Sequence, residues 1–532
     1  MELRPYQNEA KEAIEKEWSN GNKKTLLVLP TGTGKTIVFC KLSEDCVREG
    51  KRVLIMAHRG ELLQQAADKM SAATGLACAV EKAEESSLDK WERIVVGSVQ
   101  SLMREKRLNR FPKDHFDTII VDEAHHVMAD SYLRVLDHFS DADVLGVTAT
   151  PDRSDMQNLG KYFDSLAYEY TLPKAIKDGY LCPIKAQTIP LQLDISAVKQ
   201  QAGDFSATEL GTALDPYLEQ IAVEMSRACI GRKTVVFLPL IATSRKMTQI
   251  LKNKGLKAVE INGESQDREE ILRDFDEGKY DVLCNSMLLT EGWDCPSVDC
   301  IVVLRPTRSR SLYCQMVGRG TRLHPGKDHL LLLDFLWHSE THELCRPAGL
   351  IAESREVAQK MTETINENGC PVDIVEAETR ASEDVIAERE EALAKKLAEM
   401  RNKKRKLVDP LQFEMSIHAA DLANYTPSFG WEMGPASPKQ IETLEKLGIF
   451  ASDIECAGKA KLLLEKLDKR RKEGLATPKQ IRLLENKGFR DVGTWRFTDA
   501  QKMIARIAAN GWRTPLDIDV ENYGYQQFAN GL

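Results

Sequence analysis

The sequence has no pair of cysteines spaced C-x-x-C, although it carries 12 cysteines in 532 residues. That excludes a zinc ribbon, and scattered single thiols fit a reducing compartment better than a disulfide framework. No uninterrupted apolar run is long enough to span a bilayer. The opening stretch, "MELRPYQNEAKEAIEKEW", is amphipathic and charged, with no apolar secretion-signal segment. The expectation is a cytoplasmic protein with no membrane partner. Positive charge is not in excess either. The formal net charge is -8, with 73 Lys and Arg against 81 Asp and Glu. A surface that attracts polyanions everywhere is thereby excluded, and any nucleic-acid site must be a local basic strip.

What is present is a large apolar complement, 42% of the residues, in a chain long enough for roughly three or four domains. From about residue 20 to 170, "TLLVLP", "RVLIMAH", "RIVVGS", "TIIVDEA" and "VLGVTAT" alternate with helical patterns. Apolar runs without polar alternation mark strands buried on both faces, as in a parallel sheet covered by helices. The rhythm returns from about 215 to 345 with "TVVFLP", "AVEING", "DVLCNS", "CIVVLRP" and "HLLLLDF". The fold class predicted is α/β, two tandem parallel-sheet domains followed by an all-α C-terminal region. The expected division is a first domain at 1–170, a connector at 171–214, a second domain at 215–345, a helical arm at 346–410 and a small helical domain at 411–532.

The arm reads "EAETRASEDVIAEREEALAKKLAEMRNKKRK", free of Gly and Pro and turning from acidic to basic, which suits the helix dipole. Ile386, Leu393, Met400 and Leu407 recur every seven residues, but Glu390 and Lys404 occupy the other seam position. This predicts one long helix rather than a coiled coil. The tail contains a repeat: "SPKQIETLEKLGI" from Ser437 and "TPKQIRLLENKGF" from Thr477. Each has an N-cap hydroxyl, Pro at the first helical position and Gly past the end, and each precedes a second helical pattern. Two helical hairpins are predicted.

The chemistry begins at "LVLPTGTGKTIVF". The full phosphate-loop pattern wants glycine at position 29, where Leu29 stands. The rest is present in Thr31, Gly32, Thr33, Gly34, Lys35 and Thr36. Glycines let backbone N–H groups converge on a phosphate, Lys35 adds a mobile charge, and Thr36 offers a hydroxyl to Mg²⁺ at a helix N-terminus. "TIIVDEAHH" then ends an apolar strand in Asp122 and Glu123. A strand-end Asp beside a phosphate loop suits the second Mg²⁺ anchor, and the adjacent Glu suits activation of water. ATP and Mg²⁺ are the ligands these residues predict.

With Asp-Glu-Ala-His at 122–125, these motifs resemble the superfamily 2 helicases and translocases, over most of residues 1–345. The resemblance implies two RecA-like domains. In that family the position of Leu29 is often not glycine. "LRPYQ", with Arg4 and Gln7, resembles the adenine-reading element. "AHRGELLQQ" (His58, Arg59) and "GSVQSL" (Ser98, Gln100) resemble strand-tracking motifs. "GVTATP" (Thr148, Ala149, Thr150) resembles the motif coupling hydrolysis to movement, a role His125 shares. "LLTEGWDCP" (Thr290, Glu291, Gly292, Asp294) resembles the motif touching nucleic acid and nucleotide. "QMVGRGTR" (Gln315, Gly318, Arg319, Arg322) fits the Q-x-x-G-R-x-x-R element. Arg319 and Arg322 then reach the γ-phosphate only when the cleft closes, which couples hydrolysis to domain motion. The stretch "SLYCQMVGRGTRLHPGKDHLLLLDF" is similar to the branch of RadD-related repair helicases and the Ssl2-like and type III restriction helicase domains. RadD-type proteins carry a cysteine-rich zinc element after this block, and this chain has no counterpart.

The resemblance implies a nucleic-acid-dependent ATPase acting on DNA in preference to RNA, with the tail selecting substrate or a protein partner. RNA unwinding and nucleotide-switched assembly are the rival readings. Weaker signals remain. "HSETHELC" would place His338, His342 and Cys345 on one face of a helix, a spacing for zinc or simply for a structural helix. "RNKKRK" (401–406) and "DKRRK" (468–472) read as solvated faces or phosphate contacts, and Trp431, Trp495 and Trp512 as core or base-stacking groups.

Overall fold

The computed structural model describes residues 2–520, apart from 58–59, 83–84, 150–155, 157, 202–203, 287–288, 290–292, 339–343, 353, 401–406, 424, 428–429, 452–453, 455, 516 and 519. It divides into two compact units, one of Met1–Ala352 with Ala358–Glu378, the other of Glu353–Val357 with Thr379–Leu532.

The first unit holds two seven-stranded sheets. In the first, β1 (Lys24–Val28), β2 (Val53–Ala57), β3 (Cys78–Glu81), β4 (Ile94–Ser98), β5 (Thr118–Asp122), β6 (Asp143–Thr148) and β7 (Ser165–Glu169) lie in the order β3-β4-β2-β5-β6-β1-β7. Every pairing is parallel. Leu26, Leu27, Ile55, Val95, Ile119 and Leu145 are fully or almost fully buried. Each such side chain contributes about 1.5–3 kcal/mol by leaving water, and β-branched residues fit a strand covered on both faces.

The second sheet contains β8 (Ile184–Asp194), β11 (Thr234–Phe237), β12 (Ala258–Ile261), β13 (Val282–Asn285), β14 (Cys300–Val303), β15 (Leu330–His338) and β16 (Val372–Asp373), in the order β12-β13-β11-β14-β15-β8-β16. All but the β16 edge run parallel. A separate hairpin pairs β9 (Gln200–Gln201) with β10 (Asp204–Phe205).

The sheet therefore recruits β8 from the stretch read as a connector and β16 from the stretch read as arm. β8 tolerates Pro190 because the register with β15 shifts there, between Phe335 and Leu336. A bulge frees the strand from needing the proline's missing N–H. The helix read through "HSETHELC" is also corrected: β15 runs through His338, and the N–H of Cys345 bonds to the carbonyl of Thr307 at 2.9 Å. His342 lies outside the described residues. No group of three metal-ligating side chains occurs among the described residues, and no helix there is long and apolar enough to cross a membrane. Every cysteine is free.

The second unit takes in most of a 27-residue helix, Ile374–Met400, from Thr379 on, and a cluster of shorter helices. Pro438–Leu447 and Ala457–Lys472 are followed by Pro478–Glu485 and Phe497–Ala509. They close over a core containing Leu444, Leu463, Ile481, Leu484 and Ile507.

Candidate active site

Strand register sets the site. β6 lies between β1 and β5, with Val28 opposite Thr148 and Asp122 opposite Val147. The chain leaves all three strands at one level of the sheet. Leu29 is fully buried and its N–H bonds to the Thr148 carbonyl at 3.1 Å, so this position continues the sheet instead of lining the loop. Thr148 itself is buried.

The loop after β1 turns on two glycines in the left-handed region, Gly32 at φ +90° and Gly34 at φ +84°. A side chain at Gly34 would be strained and would also meet Gln7, whose Nε2 lies 2.6 Å from where a Cβ would sit. Thr33 is buried and its hydroxyl donates to the Pro30 carbonyl at 2.7 Å. Gly34 caps the helix Lys35–Arg48, so Lys35 and Thr36 open its first turn, where N–H groups are unsatisfied and the dipole favours anions. Thr31 and Thr36 are half-buried at the loop's two ends.

Glu123 follows Asp122 with φ 51° and ψ 56°, a left-handed conformation uncommon for a side-chain-bearing residue. Its own N–H donates to Asp122 Oδ1 at 3.0 Å. The turn carries the Glu123 carboxylate to within 3.9 Å of Lys35 Nζ and 3.4 Å of His125 Nδ1. Its Oε2 is buried and accepts no hydrogen bond among the described residues. Burial taken alone raises this carboxyl. Lys35 first, then His125, His126 and Arg319, overcome that and hold it below the ordinary carboxylate range. It is kept as an anion whose Oε2 faces His125 Nδ1.

The second sheet supplies the arginines. Helix Arg310–Gly318 holds Gln315 buried and ends at Gly318, with Arg319 as its C-cap. A Cβ at Gly318 would lie 2.5 Å from Thr31 Cβ. The Thr321 hydroxyl reaches the Thr31 carbonyl at 3.5 Å. The turn 318–322 therefore lies directly on the phosphate loop. Arg319 donates to the Trp293 carbonyl at 2.6 Å, and Arg322 pairs with Asp294. Tyr180-Leu181-Cys182, between the sheets, joins the seam. The N–H of Cys182 bonds to the Thr321 carbonyl at 2.8 Å, and Leu181 Cδ2 lies 3.2 Å from the place of a Gly32 Cβ.

At the other end of the loop, Gln7 has both amide ends engaged. Oε1 accepts from the Arg4 N–H at 2.9 Å and Nε2 donates to the Thr33 carbonyl at 2.9 Å. Tyr6 donates to the same carbonyl at 2.5 Å, stacks on Tyr170 at 4.4 Å and meets Tyr180 edge-on at 4.8 Å. The Arg4 guanidinium lies over the Tyr180 ring at 5.1 Å. Sequence reasoning missed this aromatic cluster. Tyr6 sits inside the quoted "LRPYQ", but its partners are distant in the chain. Of the strand-tracking candidates, Gln100 is exposed after β4, its Oε1 3.5 Å from the Ser98 hydroxyl. Arg59, Thr150, Thr290 and Gly292 lie outside the described residues.

Two family models match the chain: "Type III restriction enzyme, res subunit" over residues 1–153 and "Helicase conserved C-terminal domain" over 217–324. A candidate ATP-dependent helicase of Saccharomyces cerevisiae, IRC3, is 32% identical over 67% of this chain and 54% of its own length. The Type I restriction enzyme EcoAI endonuclease subunit of Escherichia coli is 27% identical over 62% of this chain and 46% of its own. The chain thus spans about half the length of these curated relatives. Among solved structures, a fragment of a candidate HsdR subunit of a type I restriction enzyme from Vibrio vulnificus superposes with TM-score 0.50 at 27% identity, covering 63% of this chain and 64% of that one. The DNA-bound Type ISP restriction-modification enzyme LlaBIII shares the fold, with TM-score 0.52 at 17% identity over 88% of this chain and 42% of its own.

Proposed function

Since the chain belongs to the superfamily 2 helicases and translocases, in their restriction-enzyme-like branch, we propose that it hydrolyses ATP in response to nucleic acid and uses the cycle to move along DNA. The observation that supports this best is the meeting of Lys35 and Glu123 from one sheet with the Arg319 turn of the other at a single phosphate loop.

Glu123 orients the attacking water and accepts the proton as the water oxygen bonds to the γ-phosphorus. The bond from γ-phosphorus to the bridging oxygen breaks, and ADP leaves with the electron pair. Lys35 and the N–H groups that open the helix neutralise the phosphates. Arg319 and Arg322 meet the charge that grows on the equatorial oxygens, an effect worth roughly 10³–10⁵ in rate in related phosphoryl transfers. Thr36 and Asp122 are hard oxygen donors at the loop and the adjacent strand end, a set that fits Mg²⁺. When bound, that ion neutralises and orients the phosphates. Arg4, Tyr6 and Gln7 fix the loop's far end beside the base. His125 and Thr148 link the carboxylate turn to the sheet, and Gln100 faces the strand.

Steady-state ATPase assays with single strand, duplex, fork, junction and RNA test this reading. The expected result is strong stimulation by DNA. Glu123→Gln should bind ATP and lose turnover by about 10²–10⁴-fold. Near-normal turnover in that variant overturns the site, and equal activity without any nucleic acid overturns the motor.

A further inference from the structure

The tail contains two copies of one 36-residue segment, 40 residues apart and aligned without a gap from Ser437 and Thr477 to Lys472 and Trp512. The fold explains nearly all that the copies share. Ser437 with Gln440, and Thr477 with Gln480, form reciprocal capping boxes. Each glutamine then locks its helix to the next one, Gln440 Nε2 to the Ala457 carbonyl and Gln480 Nε2 to the Phe497 carbonyl, both at 3.1 Å. Gly448 and Gly488 take φ of +101° and +95° past the helix ends. Leu444 and Leu484, and Ala460 and Ala500, are fully buried. Lys439 and Lys479 are different. Both are exposed, neither has an acidic partner among the described residues, and a cation in a helix's first turn opposes the dipole.

Both copies are net basic over their aligned residues, 437–472 with nine Lys and Arg against six Asp and Glu and 477–512 with seven against three. Two of those three acids are already engaged. Glu485 accepts from Gln412 at 3.0 Å and Asp491 pairs with His418 at 3.1 Å. Arg496 and Phe497 stand where the first copy has Cys456 and Ala457, and Phe497 is 41% exposed. The Gln480 bond to the Phe497 carbonyl draws the starts of the two helices together, so Lys479, Arg496 and Phe497 share one end of the hairpin. The Lys479 stem passes over Gly448, where an added Cβ would lie 3.0 Å from its Cγ.

We propose that this end of the second copy is a nucleic-acid contact separate from the ATPase core, with Lys479 and Arg496 on backbone phosphates and Phe497 against a base or sugar. A locally basic surface in an acidic chain selects a polyanion. An exposed aromatic side chain next in the chain to an arginine selects one with planar groups to stack. The proposal deepens the reading that the motor runs on nucleic acid and rests on it for the partner's identity.

The test uses the full chain without nucleotide and a fluorescein-labelled single-stranded DNA of mixed sequence, followed by anisotropy from about 50 to 200 mM salt. Lys479→Ala with Arg496→Ala should weaken binding about tenfold and flatten the salt dependence by roughly one to two phosphate contacts. Phe497→Ala should weaken binding without changing that slope, and Lys439→Ala should change neither. Turnover at saturating DNA should stay at the wild-type value in all three. An unchanged dissociation constant and slope in the double variant overturns the proposal. So does an equal loss of binding to polyglutamate, which would make the surface a protein-docking one. If DNA fails to stimulate the ATPase but the double variant still loses DNA, the motor reading falls and this contact stands.

Discussion

Both units are built by doubling, and they spend the second copy differently. In the first unit, elements of two parallel sheets meet at one glycine loop and would share the chemistry proposed for it. The first supplies Lys35 and Glu123, the second Arg319 and Arg322. Neither sheet alone holds a complete set. In the second unit, each hairpin is complete by itself, since Gln440 and Gln480 close separate but matching locks. A site shared between lobes makes their separation consequential. Self-contained copies leave one free to diverge at its surface.

The sharpest way to break the comparison is Arg319→Ala. If the second sheet completes the site, turnover should fall by roughly 10³-fold or more while ATP binding, followed by a fluorescent analogue, changes little. A comparable loss of binding and turnover would make Arg319 a fold residue. The matched locks come next. Gln440→Ala and Gln480→Ala should each lower unfolding stability by about 1–2 kcal/mol, with Gln480 the larger because it is the more buried. Denaturant titration checks this, and a negligible effect at one site would end the equivalence of the copies.

The smallest effect concerns pH. The hydrogen bond from His418 holds the Asp491 carboxyl below its usual range. The stability it lends is present above the ordinary aspartate value and is lost as pH falls through the lowered one. His418→Ala should therefore move the acid unfolding midpoint to higher pH and cost less than about 1 kcal/mol of stability, because both groups are partly exposed. Acid titration followed by tryptophan fluorescence reads it.

The ten strand runs were legible because strands buried on both faces show unbroken apolar stretches. β8 was not, because "IKAQTIPLQLD" alternates and contains Pro190, and only the partner strand reveals the bulge that accommodates it. β16 has two residues and owes its existence to its neighbour. In the site, Lys35 and Glu123 were readable from motifs a few residues long. The Tyr6–Tyr170–Tyr180 cluster was not, since nothing local distinguishes a stacking tyrosine from a core one. "HSETHELC" misled because helical spacing was read into a segment that begins inside a strand.

Gly318 has a further consequence. The turn that carries Arg319 rests on Thr31 with no room for a methyl group between them. That contact is a mechanical stop. It fixes how near the Arg319 turn can come to the loop, and that approach is gauged by the smallest side chain available. A single added carbon at 318 would act as a shim, holding the arginines at a distance from the loop while leaving every charged group in the cleft unchanged.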